Sequence, residues 1–532
     1  MRDFHLPGRS PVYATNGMAA TSMPAATLTA LDVLRAGGNA LDAAVAAVAV
    51  LGVIEPQSTG IGGDCFCLYA PKGASRPIAI NGSGRAAAYA SMDWFETNGI
   101  RALENTSPHT VTVPGAVGAW EALLAAHGRK GLDELLQPAI RFAEDGHPVH
   151  PKVASDWASS VDKLRKGGAD LFLPGGKAPK VGDVFRQPRL AATLRTIAKK
   201  GARGFYEGEV ARDMIATLNA RGAKHTEADF ARGREAAVFV DPISIGWRGH
   251  EVFQCPPNGS GIVALMLLGI LGGFDTPAGG AGSLTRWQRH IEAARLCYRD
   301  RNAFVADPWQ SEVPVKHLTS PEYLAALREL IRDDRALADL PRAGEAALPA
   351  HADTVYLTVV DRDGNACSFI NSLFQGFGSG ILAQDSGVML QNRGFGFRLE
   401  RGHPNCIAPD KRPMHTIIPG MVMKDGRCVM PYGVMGGHFQ PMGHTLFLTN
   451  MLEFGMDIQE AIDFPRLLPY GGKVEVEHGI PAEIVAGLTR LGHDCVTTDR
   501  PHGGGQAIFI DHDRGVLAAG SEPRKDGCAM GY

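Results

Sequence analysis

No stretch of the 532 residues is apolar for long enough to cross a membrane; the best run, Ala43–Ile54, covers twelve residues where a bilayer needs about 20. An excess of charge is missing too. With 53 basic and 56 acidic residues the net charge is −3, which removes the electrostatic case for nucleic-acid binding or a polybasic membrane contact. Cysteine is scarce, nine in all, with one C-x-C pair at Cys65 and Cys67 and no zinc-type doublet. Reduced, mostly buried thiols are expected. Met1–Ser10 carries Asp3 and Pro7 and no apolar segment, so no secretory leader is read there and a cytoplasmic location is expected.

Common catalytic signatures are absent as well. There is no G-x-x-x-x-G-K-[ST] phosphate loop, no G-x-G-x-x-G opening a helix, no H-E-x-x-H and no G-x-S-x-G. Nucleotide binding, zinc-protease chemistry and a serine elbow therefore lack support. His438 and His444 stand close together in sequence, but in a glycine-rich stretch they read as structural. Neither a metal nor a cofactor is expected.

Glycine is what the chain has in excess: 65 residues, about 12% against a usual ~7%. That means either a loose chain or a backbone making close approaches that a Cβ would block, and the surrounding elements favour the second. Asn39, with Asp42 three residues on, predicts a capped helix over 39–54, apolar on nearly all sides and therefore buried, stopped at Glu55-Pro56. Thr59–Asp64 turns into the strand-like Cys65–Tyr69. Leu132–Asp145 reads as an amphipathic helix, Ser260 as the cap of an apolar helix Gly261–Leu271, and Trp287–Phe304 as a longer, charged one. Hairpins follow: Thr354–Val360 returning through Asp361–Gly364 to Ala366–Ile370, then Met421–Met430 around Asp425-Gly426, then Ala507–Leu517. Arg328–Pro349, rich in alanine and charge, fits neither pattern. Helices first and hairpins later predict a layered α/β sandwich rather than βαβ units.

Thr354 heads the first of these hairpins. In mid-chain it is an ordinary strand residue. Were the peptide bond after Asp353 cut, it would carry both its hydroxyl and a free α-amine of pKa ~7.7–8.0, and such an amine can act as base for its own hydroxyl.

Several motifs occur in one order along the chain: Gly-Gly-Asn-Ala-Leu-Asp-Ala-Ala-Val from Gly37, Glu55-Pro-Gln-Ser-Thr-Gly-Ile-Gly-Gly63, Val113-Pro-Gly115 and Leu136-Gln-Pro-Ala-Ile140. Pro256-Pro-Asn-Gly-Ser-Gly261, Asp353-Thr354, Gly436-Gly437 and the tail Glu522-Pro-Arg-Lys-Asp-Gly-Cys-Ala-Met-Gly-Tyr532 follow. Together they resemble the γ-glutamyltranspeptidase family of N-terminal nucleophile hydrolases, over nearly the whole chain. The resemblance implies a four-layer αββα sandwich and a precursor that cleaves itself between Asp353 and Thr354. Its products would be a large chain of residues 1–353 and a small chain of 354–532, together one αββα domain. An assembly of two such pairs is the oligomer it implies. Thr354 would be the nucleophile, Ser372 the hydroxyl that supports it, and Gly436 and Gly437 the donors of the oxyanion hole.

The same resemblance is weaker in the substrate pocket. Where the family grips a γ-glutamyl α-carboxylate with an arginine and a serine pair, this chain has Ser83 and His415-Thr416. The positions that hold the α-ammonium read Phe374, Arg393 and Gly396. An acidic site has thus become basic, which suits a donor bearing a carboxylate and no ammonium. Arg85, Arg393, His415 and Thr416 are the candidate binding residues, Phe374 and Phe395 would flatten the pocket, and His415, His438 and Gln440 are candidate supports. Arg393 and Arg85 also admit a plainer reading as salt-bridge residues. Gly-Ser-Gly-Arg at 82–85, Gln-Asn-Arg-Gly at 391–394 and Gly-Gly-His-Phe-Gln-Pro at 436–441 resemble the oxamate amidohydrolase and glutaryl acylase branch. The expected activity is hydrolysis of a small anionic amide, oxamate fitting best. A γ-glutamyltransferase or glutathione hydrolase is the alternative within chemistry, and a non-catalytic member the alternative outside it.

Overall fold

The computed structural model describes residues 8–340 and 354–532; Asp353 and the last part of the alanine-rich stretch lie outside the described residues. Two seven-stranded antiparallel sheets are stacked face to face. The first runs Val12–Ala14, Val516–Ser521, Gly504–Asp511, Arg427–Met435, Gly420–Lys424, His250–Gln254, Ile243–Trp247. The second runs Cys528–Gly531, Met18–Thr21, Val355–Val360, Ala366–Ser372, Asp64–Ala70, Ile78–Gly82, Val238–Val240. Phe66, Tyr356, Ile370, Phe253, Met421 and Ile508 fill the space between them. Helices Pro24–Arg35, Ala40–Ile54 and Ala116–His127 cover the outer face of the second sheet. Gly261–Leu271 and Gln440–Leu452 cover that of the first. The αββα sandwich expected from the resemblance is the fold observed.

The central helix forms as its sequence predicts. Asn39 Oδ1 accepts from the backbone N–H groups of Leu41 and Asp42, and Asp42 Oδ2 accepts from that of Asn39, a reciprocal capping box. Every residue of the helix except Gly52 is buried. Asp361, in the turn of the first hairpin, reaches this same helix end: its Oδ2 accepts from Ala40 N–H at 2.9 Å and from Asn365 Nδ2 at 2.7 Å. Its Oδ1 accepts from Asp363 and Asn365 N–H. A carboxyl oxygen at a helix N-terminus suits both the unpaired N–H groups and the macrodipole.

Two local expectations change. The helix expected over 132–145 divides into Leu132–Leu135 and Gln137–Asp145, because Pro138 has no N–H to continue the first piece and is well placed only in a first turn. Ser260 precedes Gly261–Leu271 but makes no side-chain cap; its hydroxyl donates instead to the His415 carbonyl at 2.6 Å.

The strand pairings set the position of the site. Val355 pairs with Asn371, and Ser372 with Asp64. Thr354, Ser372 and Asp64 therefore sit side by side at one end of three neighbouring strands. Replacing Asp361 with Ala is expected to destabilise the fold by about 2–4 kcal/mol, since it strips buried N–H groups at two elements of their acceptor. A denaturant midpoint measured beside wild type checks it.

Candidate active site

Thr354 Oγ1 and Ser372 Oγ lie 3.0 Å apart, both fully buried. Ser372 Oγ also accepts from Phe374 N–H at 2.9 Å and faces Arg393 Nη2 at 3.5 Å. With donors on its lone pairs, the serine can direct its own proton to Thr354, leaving the threonine proton for a base. Phe374 pays for this geometry with a left-handed backbone, φ +83°, which a residue with a Cβ adopts at a cost of about 1–3 kcal/mol. Gly63 passes so close that a Cβ there would stand 2.2 Å from the Ser372 carbonyl oxygen.

Arg393 is wholly buried. Its Nη1 donates to Thr416 Oγ1 at 2.9 Å, its Cζ lies 4.0 Å from the centre of the Phe374 ring, and its Nε has no partner among the described residues. Among the described residues no carboxylate forms an ion pair with it. Burial pulls its guanidinium down to about 9, with Asp64 opposing the shift. Such a cation is expensive in a low dielectric unless an anion joins it.

Asp64 belongs to no recognisable sequence signature, yet it joins four separate segments. Its Oδ1 accepts from Gly84 N–H (2.9 Å), Gly115 N–H (3.1 Å) and Gln391 Nε2 (2.8 Å). Its Oδ2 lies 3.1 Å from His415 Nε2. Ile417 N–H donates to His415 Nδ1 at 3.3 Å, so the imidazole proton belongs on Nε2 and points at Asp64. Burial first, then the nearby Arg393, depresses His415 to about 3. Both ring nitrogens are thus engaged, and His415 positions the loop that carries Thr416 rather than offering a free nitrogen to a ligand.

Arg85 is placed elsewhere. It donates to the Asp410 carbonyl at 2.8 Å and approaches the Asp410 carboxylate at 3.6 Å in a partly exposed pair. The buried guanidinium near Ser83 belongs to Arg412, which donates to the Ser83 carbonyl at 2.6 Å. Phe395 is half-buried in the turn after Arg393 and makes no ring or cation–π contact with Phe374 or Arg393 among the described residues. Gln440 Oε1 accepts from Ile418 N–H at 3.1 Å, a supporting contact. His444 Nε2 accepts from Val434 N–H at 3.1 Å, a structural one.

Gly436 and Gly437 end the strand Arg427–Met435 of the other sheet and lead through the turn Gly437–Phe439 into helix Gln440–Leu452. Gly436 has φ +119°, and a Cβ on it would meet Gly503 Cα at 2.6 Å, so only glycine fits. The first N–H groups of a helix have no partner within it and favour negative charge. A cavity of ≈ 560 Å³ reaches this point, lined among others by Gly436, His438, Gln375, Gly376, Lys163 and Tyr470. Thr354, Ser372 and Arg393 are fully buried and do not line it. The arrangement can attack a carbonyl with a hydroxyl, stabilise an oxyanion and pair a carboxylate. No group of side chains suited to hold a metal occurs among the described residues.

Comparison with known proteins gives the family. The family model described as gamma-glutamyltranspeptidase matches residues 26–532. The chain is 36% identical over 514 residues to the glutathione hydrolase-like YwrD proenzyme of Bacillus subtilis (strain 168), covering 94% of this chain and 95% of that one. It is 35% identical over 536 residues to the oxamate amidohydrolase proenzyme of Klebsiella pneumoniae, covering 98% and 99%. The crystal structure of a cephalosporin acylase from Bacillus halodurans superposes with a TM-score of 0.92 at 40% identity, over 100% of this chain and 99% of that one.

Two measurements test the Asp64 network. Asp64→Asn turns an acceptor facing the His415 N–H into a donor and is expected to lower stability by about 1–3 kcal/mol, read from the unfolding free energy. His415, near 3 when folded against 6.5 as its reference, takes up its proton first in the unfolded chain. Its contribution is therefore complete above pH ~6.5 and is lost as pH falls toward 3. His415→Gln should make the slope of unfolding free energy against pH shallower by about one proton in that window.

Proposed function

The chain belongs to the gamma-glutamyltranspeptidase family and is an amidohydrolase of the N-terminal nucleophile type; within that family we propose that it cleaves the amide of a small anionic acyl group, with oxamate the first candidate, using Thr354 as nucleophile after cleavage of the Asp353–Thr354 bond. The observation that carries this reading is Arg393: a buried guanidinium, without an ion-pair partner among the described residues, 3.5 Å from the serine that touches Thr354. A substrate carboxylate would supply the missing anion. A γ-glutamyl donor would bring an α-ammonium to the same place, a like-charge contact in low dielectric costing several kcal/mol.

In this mechanism the Thr354 α-amine takes the hydroxyl proton while Oγ1 bonds to the amide carbon. The carbonyl electron pair moves onto oxygen, beside the N–H groups of the glycine pair. Collapse breaks the C–N bond, the protonated amine leaves, and water hydrolyses the resulting ester by the same steps. Relatives named for a glutathione hydrolase-like protein, an oxamate amidohydrolase and a cephalosporin acylase match this chain to similar extents. Arg393 rather than relatedness therefore selects among acyl groups.

Purified protein should run on a denaturing gel as two bands of about 38 and 19 kDa, in proportion to the two lengths of a 56.6 kDa chain; a single full-length band would exclude processing. Ammonia release from oxamate should exceed nitroaniline release from γ-glutamyl-p-nitroanilide, and faster turnover of the latter would overturn the acyl-group assignment. Arg393→Gln should raise KM for the anionic amide by at least about tenfold, the loss of one charge-assisted contact.

A further inference from the structure

We infer that His438 is a catalytic residue whose Nε2–H donates a hydrogen bond to the scissile carbonyl oxygen, as a side-chain member of the oxyanion site formed by Gly436 and Gly437. The inference rests on the reading of Thr354 as nucleophile and extends it to a residue outside the backbone pair. Arg301 Nη1 lies 3.0 Å from His438 Nδ1. A guanidinium can only donate, so Nδ1 is the acceptor and the ring proton sits on Nε2. That N–H is buried and has no partner among the described residues. An orphaned buried donor costs about 1–3 kcal/mol, a cost that a ligand oxygen would remove.

The ring cannot easily turn away to find another partner. It stacks on Tyr470 with centroids 5.3 Å apart and planes 14° from parallel, and the His438 carbonyl accepts from Tyr298 Oη at 2.5 Å. His438 lines the same cavity as Gly436 and as Gln375 and Gly376 of the loop that follows Ser372. Burial, with Arg301 and Arg393 adding positive charge nearby, holds the imidazole well below its ordinary range. It therefore serves as a neutral donor. In the step itself Thr354 Oγ1 bonds to the carbonyl carbon and the π pair moves to oxygen. The Nε2 proton stays on nitrogen, and collapse restores the carbonyl as the amine departs.

The test compares His438→Ala with His438→Gln, whose side-chain amide can place an N–H near the position of Nε2. Oxamate and glutaryl-p-nitroanilide serve as probes, using whichever wild type turns over faster. Rates are divided by the number of free Thr354 termini counted by mass spectrometry. The alanine variant should lose about 100-fold in kcat, with KM within about threefold, and the glutamine variant should recover at least about tenfold of that loss. An unchanged kcat, a change in KM alone, or glutamine no better than alanine would overturn the assignment. Should the alanine variant yield no free Thr354, the glutamine variant decides: kcat within about tenfold of wild type supports the inference, and a loss near 100-fold refutes it. Wild type without a free or acylated Thr354 terminus would instead remove the nucleophile reading on which the inference stands.

Discussion

Val355 pairs with Asn371 across the first hairpin, and that register sets Thr354 opposite Ser372 with 3.0 Å between their oxygens. A slip of one residue would turn every side chain of the strand to the other face, separating the two hydroxyls and moving Val355 and Leu357 from the helix-covered core to the space between the sheets. The pairing is held by what surrounds it. Tyr356 fills the space between the sheets against Gly433, where a Cβ would stand 2.4 Å from its ring. Asp361 ties the hairpin turn to the buried helix Ala40–Ile54. The neighbouring strand then brings Asp64 level with Ser372. One register thus aligns a nucleophile, its supporting hydroxyl and the carboxyl group that organises the loops around them.

Electrostatics give this end of the sandwich its chemical character. Arg393, Arg412 and Arg301 are all buried, and burial depresses each of them. Arg412 has backbone carbonyls for partners and Arg301 has Asn302 and His438, whereas Arg393 has two hydroxyls, an aromatic face and, among the described residues, one unpartnered nitrogen. His415 and His438, held neutral beside them, present or accept hydrogen bonds without adding charge. A region built this way is complementary to an anion.

Local features were legible in the sequence because their causes are local. Eighteen residues from Thr354 to Ser372 is the reach of a hairpin whose turn is Asp361–Gly364. Asn39 and Asp42 spell out the capping box observed. The glycine excess also has a location: Gly63 and Gly436 allow backbone approaches that a Cβ would prevent. Asp64 was illegible because its partners at 84, 115, 391 and 415 are brought together only by the sheet. Proximity in sequence to Ser83 suggests Arg85 for the site, but sequence neighbours at a strand end need not share a direction. The strand end turns its guanidinium out to Asp410, and the buried guanidinium arrives from Arg412, more than 300 residues away. Ser260 looked like a helix cap because nothing local reveals that the His415 carbonyl lies within its reach.

The order of strands within the sheets has a further meaning. In the second sheet Met18–Thr21 lies between Cys528–Gly531 and Val355–Val360, and in the first Val12–Ala14 closes the edge beside Val516–Ser521. Pieces from before and after residue 353 are woven through one another. Separating the halves of a molecule nicked there would mean breaking strand pairs in both sheets, which opposes their exchange with those of a neighbour. The two pieces of one precursor would thus be held as partners by the weave of the sheets themselves.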